Sequence, residues 1–222
     1  MKNILILLSA IPFFAHAQSQ LDTTFLLPGT ELSSIAAIVV DNDTIVCVGN
    51  AFTAQGNYAT HISKYDTLGN LLNYNIIQEN GKKIDAGETT GFIKTSDGGY
   101  AALSGTAVGL DVLFIKFDHE LQTEWITTIT RTDMLAIYAD GLVETSDGYL
   151  VAGFGNTQNT PVSSFVCSLS KQGDIRWNKK YSAQPNWNSG VRNMVKKNNN
   201  SFWIGGGRSM ICLLYTSPSP RD

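Results

Sequence analysis

The chain has 222 residues, of which 43% are hydrophobic and 16% charged, with a formal net charge of −3. That is the composition of a folded domain rather than of a disordered segment. Its 16 basic residues are scattered along the sequence, which excludes the clustered Lys/Arg face that nucleic-acid phosphates demand.

The first residues, "MKNILILLSAIPFFAHAQ", combine Lys2, an apolar run from Ile4 to Phe14 and a small-x-small site at Ala15–Ala17. The pattern predicts a secretory signal peptide over residues 1–17, with the mature chain starting at Gln18. No Cys follows the site, so lipid anchoring is not expected. The apolar run is shorter than the ~20 residues of a membrane helix, and no later stretch approaches that length. "TTFLLPG", from Thr23 to Gly29, precedes the first repeat and is expected to be a ring-closing strand, loosely placed here.

From there the chain repeats itself. "KTSDGGYAALSG" from Lys94 is echoed by "ETSDGYLVAGFG" from Glu144, and more faintly by "VDNDTIVCVGN" from Val40 and "KNNNSFWIGGG" from Lys197. A second element, "HISKYDTLGNLLNY", "LFIKFDHELQTEW" and "SFVCSLSKQGDIRW", recurs out of phase with the first. Its Asp66, Asp118 and Ser170 stand 52 residues apart. Two independent elements with one period of about 50 indicate a repeat architecture.

Each period reads as four strands, A to D. In the second they are "GFIKT", "YAALSG", "VLFIKF" and "TEWITTIT". Asp97, Gly98 and Gly99 make the A–B turn, supplying positive-φ positions, and Asp147 with Gly148 is expected to do the same one period later. In the C–D turn Gly69 and Gly173 match, while Leu121 occupies the same slot and implies a different local turn. Strand C is apolar on both faces, as a strand covered on two sides must be. Trp125 and Trp177 recur on strand D, where the first copy has Asn73. Four short strands at a fixed period predict an all-β, partial β-propeller of about 3.5 antiparallel blades, near 32–78, 88–130, 137–182 and 188–211, forming an open arc with an exposed, aggregation-prone edge.

"TSDGGY" with "FIKFD", and "TSDGYLVAG" with "SLSKQGDIRWNKKYS", resemble the repeats of secreted Bacteroidota-type β-propeller proteins. The resemblance covers Ala36 to Gly207 and implies export to the cell surface or medium, often through a type IX sorting domain. It carries no catalytic residues. The turn pattern is also similar to quinoprotein propellers and to the Asp-box of sialidase-like propellers, similarities that a turn-capping Asp, its Gly and a packing aromatic account for without a cofactor.

Chemistry-bearing residues are few. His61 and His119 lack a catalytic motif around them, so both read as satisfied or solvated. Cys47 and Cys167 fall on non-neighbouring strands and read as buried apolar residues rather than as a disulfide. The acid pairs Asp41/Asp43 and Asp97/Glu88 read as turn residues bonding their own backbone. No metal and no cofactor are expected. The unlike segments gather in the B–C and D–A connections, the face where a rigid scaffold presents binding residues. Lys82, Lys83, Asp111, Arg131, Asp133, Asn186 and Trp187 are the candidate ligand-binding residues there. The reading is a secreted or cell-surface module that binds glycan or protein without catalysis, with no nucleic-acid partner and no membrane span. A polysaccharide-active hydrolase or lyase is the alternative, and a quinoprotein a more distant one.

The last eleven residues, "CLLYTSPSPRD", leave the repeat. Back-translated, they are similar to a transposase sequencing adapter read in frame, so residues 212–222 are expected to be an artefact tail and the repeat to break after strand B of the fourth blade.

Overall fold

The computed structural model describes residues 26–78, 84–85, 91–106, 111–157, 162–181, 187–198 and 201–210. These form antiparallel sheets. Blade 1 comprises β1 (Thr30–Asp41), β2 (Thr44–Thr53), β3 (Tyr58–Asp66) and β4 (Leu71–Ile77), hydrogen-bonded in that order. Blade 2 has its innermost strand in two pieces, β5 (Ile84–Asp85) and β6 (Phe92–Lys94), both paired with β7 (Tyr100–Thr106), followed by β8 (Val112–Phe117) and β9 (Thr123–Ile129). Blade 3 is β10 (Ala136–Glu144), β11 (Gly148–Asn156), β12 (Ser163–Ser170) and β13 (Ile175–Tyr181). β14 (Trp187–Asn198) and β15 (Ser201–Met210) are two strands of a fourth. The all-β, open propeller arc expected from the period is the fold observed.

Strand C explains the core. Every residue of β8 and β12 is buried, because each middle strand is covered on both faces by neighbouring blades. The apolar clusters accordingly lie between sheets. Val46, Val48 and Ile62 of blade 1 pack with Leu113, Ile115 and Phe117 of blade 2. Leu103 and Phe114 of blade 2 pack with Ile137, Val151 and Phe165 of blade 3. Val143 and Val166 meet Val191 and Met194 of β14. At the two ends of the arc apolar residues stay exposed, among them Leu32, Ile38 and Val40 on β1 and Trp203 and Ile204 on β15. Before β1, Leu27 is buried and its carbonyl accepts hydrogen bonds from both the N–H and the hydroxyl of Thr30. This part of the leading segment is therefore fixed rather than loosely placed. Thr23–Phe25 lie outside the described residues.

The turns settle two points that the sequence left differently. In all three C–D turns the first residue anchors the loop with its side-chain oxygen: Asp66 accepts from the N–H groups of Leu68 and Asn70, Asp118 from Glu120 and Gln122, and Ser170 from Gln172 and Asp174. The fourth residue is left-handed in each, with φ of 83° at Gly69, 65° at Leu121 and 91° at Gly173. Leu121 thus makes the same turn as the glycines, contrary to expectation. Its side chain is completely buried against blade 1, and that burial offsets the steric penalty of a left-handed Cβ.

In the A–B turns the positive φ falls on Asn42 in blade 1, at 52°, and on Gly98 in blade 2, at 88°. Gly99 and Gly148 are needed for space instead. A Cβ on Gly99 would stand 2.2 Å from the carbonyl oxygen of Phe117, and one on Gly148 1.9 Å from that of Leu169. Gly148 therefore does the work of Gly99, not of Gly98. Asp97 and Asp147 both accept from the hydroxyl two residues earlier, at Thr95 and Thr145. Asp97 also pairs with the buried Lys116 at 2.9 Å, as Glu124 does, while Asp147 pairs with Arg176. Burial pushes the Asp97 carboxyl up, but the hydrogen bonds from Thr95, Lys116 and the Gly99 N–H outweigh it and hold it at about 2.

Two outcomes follow. Relief of a left-handed Leu is worth about 1–2 kcal/mol, whereas loss of a fully buried Leu costs about 2–5 kcal/mol. Leu121→Gly should therefore lower stability in urea, and a stabilised variant would refute the burial account. Because the folded carboxyl of Asp97 titrates near 2 against an ordinary 3.8, its contribution is complete above pH ~4 and disappears as pH falls towards 2. The urea midpoint should drop over that window, and Asp97→Asn should flatten the drop.

Candidate functional site

The seven residues expected to bind ligand do not assemble into one site. Lys82, Lys83 and Asn186 lie outside the described residues. Trp187 begins β14 opposite Met210, and only its backbone is described. The Arg131 guanidinium bonds both carboxylate oxygens of Asp133, at 2.9 and 3.0 Å, and donates to Asn178 of β13 at 2.6 Å. The Asp133 carboxyl is held below its ordinary range by that hydrogen bond, against some burial. The pair is thereby committed to tying the D–A connection that leaves blade 2 to strand D of blade 3. The Asp111 N–H donates to Thr106 across the B–C connection. Of the other residues singled out, Glu88 lies outside the described residues. Asp41 accepts from Lys94 at 2.5 Å and from the Tyr100 hydroxyl at 2.6 Å, clasping blade 1 to blade 2. His61 is buried, with Nε2 donating to the Ser34 carbonyl at 3.0 Å, and burial pushes its titration down. Cys47 and Cys167 are free and buried, their thiols pushed up to about 11 and about 12 by burial.

A different group of residues converges, and the innermost strands create it. Three of these strands carry an unpaired residue partway along: Ala36 between Ile35 and Ala37, Asp140 between Ala139 and Gly141, and Arg192 between Val191 and Asn193. Such a bulge re-aims one side chain and is over-represented beside active sites. Its partner strand supplies glycine at the adjoining position. A Cβ on Gly49, Gly153 or Gly206 would come within 1.8, 2.0 or 2.1 Å of the carbonyl oxygens of Ser34, Tyr138 and Gly190. Gly49, Gly153 and Gly206 of the repeated motif are thus explained by close backbone approach.

In blades 3 and 4 the bulged residues meet. Arg192 pairs with Asp140 at 3.3 Å across the gap between blades, the Asp140 side chain being 13% exposed and that of Arg192 67% exposed. The guanidinium also lies 4.5 Å from the Phe154 ring centre. Phe154 stacks on its cross-strand partner Tyr138 with ring centres 5.4 Å apart, and the Tyr138 ring is partly open to solvent. The product is a half-buried carboxylate, an exposed guanidinium and an aromatic platform on three adjacent strands. Rings offer apolar faces for stacking, and the charged pair offers directed hydrogen bonds, the combination that polar ligands with apolar edges require. Among the described residues no group of three His, Cys, Asp or Glu is placed to hold a metal ion.

Sequence reasoning misses this cluster because "RTDMLAIYAD" straddles the D–A connection and the start of the blade near 137–182. β10 already begins at Ala136, since Ile137 and Ala139 bury one side of the strand against blade 2. The available signal was an Asp next to Gly141 within an otherwise apolar strand, aligned with a basic residue 52 positions on.

No family model and no curated protein matches the chain. Among solved structures it is similar to an exo-beta-1,3-galactanase from Phanerochaete chrysosporium (13% identity, 71% of this chain and 38% of that one, TM-score 0.45). It is also similar to an alpha-L-arabinofuranosidase from Clostridium thermocellum (13%, 79% and 61%, TM-score 0.45). A third is a GH43 beta-1,3-galactosidase with galactodeoxynojirimycin (8%, 77% and 65%, TM-score 0.47). The chain spans between 38% and 65% of the length of these three. At these identities the likeness is one of fold and assigns no residue or substrate. It does correct the expectation of a non-catalytic binding module that is not an enzyme: the solved structures it resembles are glycoside hydrolases. Among the described residues no helix is long and apolar enough to cross a membrane.

Proposed function

We propose that this chain is part of a polysaccharide-active hydrolase, acting outside the cell after removal of residues 1–17. The observation that carries the reading is Asp140, a half-buried carboxylate re-aimed by a bulge on an innermost strand, beside an arginine and an aromatic platform. Glycosidic cleavage passes through a sugar ring that gains positive charge, flanked by two carboxyl groups. Asp140 supplies one of them. As the anion it offsets the charge growing on the ring, while the exposed Arg192 guanidinium bonds ring hydroxyls and Tyr138 with Phe154 stacks against the sugar's C–H face. The wet, exposed Tyr138 edge orients the glycan toward open solvent, as a polymer substrate requires.

The direct test is reducing-sugar release by the purified protein. Beta-1,3-linked galacto-oligosaccharides and alpha-L-arabinofuranosides form the panel, because the similar solved structures are described with those sugars and activities. Release from one of them is expected, and Asp140→Asn should lower kcat by about 10²-fold or more with an unchanged urea midpoint. Full activity of Asp140→Asn, or no release from any substrate, would overturn the assignment. Mass spectrometry of protein recovered from the medium of an expressing cell should show a chain starting at Gln18.

A further inference from the structure

Arg131 and Arg192 both pair with an aspartate, but only one of them is used up by its partners. Arg131 closes on Asp133 through two hydrogen bonds at 2.9 and 3.0 Å and reaches Asn178 with a third, and its side chain is 11% exposed. Arg192 meets Asp140 through Nη1 alone, at 3.3 Å, and its side chain is 67% exposed. A guanidinium has five N–H donors set in a planar fork, and among the described residues one of those on Arg192 is engaged. The Phe154 ring, 4.5 Å from the guanidinium carbon, steadies the fork. Arg192 is positioned without being consumed.

The charge around it is one-sided. Strands β13, β14 and β15 carry three, three and one Lys or Arg residues, and no Asp or Glu. The three strands before them, β10 to β12, carry Asp140 and Glu144 and no cation. Basic residues that look scattered along the chain are therefore gathered once they are sorted by strand. Arg176 and Arg192 pair with carboxylates of blade 3, and Lys180 lies 3.9 Å from Asp133. Lys179 and Lys197 instead rest over tryptophan rings, at 5.3 and 4.7 Å. The strand that holds Arg192 has no acid of its own.

These two features decide what the guanidinium accepts. Covering it with a neutral sugar strips water from a charge and returns only dipolar contacts, whereas a carboxylate returns two parallel charge-assisted bonds that match the fork. The platform of Tyr138 and Phe154 sets a sugar ring beside it, so the carboxylate belongs on that ring. A nucleic-acid strand, with a phosphate at every nucleotide, would press further charges against the Asp140 carboxylate. An isolated carboxylate needs only the donors that Asp140 leaves open.

We infer that the sugar stacked on Tyr138 and Phe154 is a uronic acid, whose carboxylate takes the free N–H groups of Arg192. Neutral sugars occupy the same platform more weakly. The inference rests on the sugar site proposed above and not on cleavage there.

Fluorescence anisotropy of the full chain with labelled trigalacturonate, and with the same trisaccharide methyl-esterified at every carboxyl, tests it. The acid should bind at least about tenfold more tightly than the ester at about 50 mM NaCl, and about 500 mM should erase most of the difference. Arg192→Gln should bring acid and ester to the same affinity. Arg192→Lys should recover part of the preference, because the ammonium keeps the charge and loses the fork. Asp140→Asn should tighten binding of the acid by removing a like charge. Equal binding of acid and ester by the parent chain, a preference that survives Arg192→Gln, or binding of a short single-stranded DNA as tight as that of the acid would overturn the inference. No binding of either form would overturn the sugar site and the inference with it, whereas a chain that prefers the acid and releases no sugar would uphold the inference and overturn the cleavage alone.

Discussion

A four-stranded sheet has two faces and can bury neither alone, so everything in this protein depends on the contact between one blade and the next. The apolar clusters show it: each contains side chains from adjacent blades. Polar groups lock the same interfaces at their rims. Asp41 of blade 1 receives Lys94 and Tyr100 of blade 2, and Glu144 of blade 3 receives the Ser96 N–H and hydroxyl of blade 2. On the outer side the strand-D residues reach the next turn's carbonyls. The interfaces thus combine bulges and clasps on the innermost strands, an apolar middle, and strand-D contacts with the neighbouring C–D turn on the outer side.

That order accounts for the period. A step of 52 residues is preserved at Asp66, Asp118 and Ser170 because each anchors the same turn, and the carbonyls of the turns at Asp118 and Ser170 reach strand D of the preceding blade. The amino acid can change when both sides of the contact change together, as Asn73 with Leu121 and Trp125 with Gly173 do. This is why the turn could absorb a leucine in a left-handed conformation. A sequence template that ranks residues by turn propensity sees Leu121 as an exception, whereas the packing sees it as the missing volume opposite a small Asn.

Fold class, strand identity and the places of the turns were readable from the chain because they rest on local signals: alternation, glycine and repeated Asp; the turn conformations at Leu121 and Gly148 were not, because packing sets them. The candidate site was not, because it rests on a one-residue register shift in each of two strands far apart in sequence. Asp140 and Arg192 become neighbours only when the bulges turn both side chains into the same gap. Arg131, by contrast, spends its guanidinium on Asp133 and Asn178 and its side chain is only 11% exposed, whereas that of Arg192 is 67% exposed and open to a ligand.

The account's central claim is that the bulged residues of the innermost strands, and not the variable connections, form the sugar-binding surface. Chemical-shift mapping of the protein titrated with beta-1,3-galactotriose tests this most directly. The account predicts perturbations centred on Tyr138, Asp140, Phe154 and Arg192; perturbations centred on Asp111, Arg131 and Asp133, with those four unmoved, would contradict it.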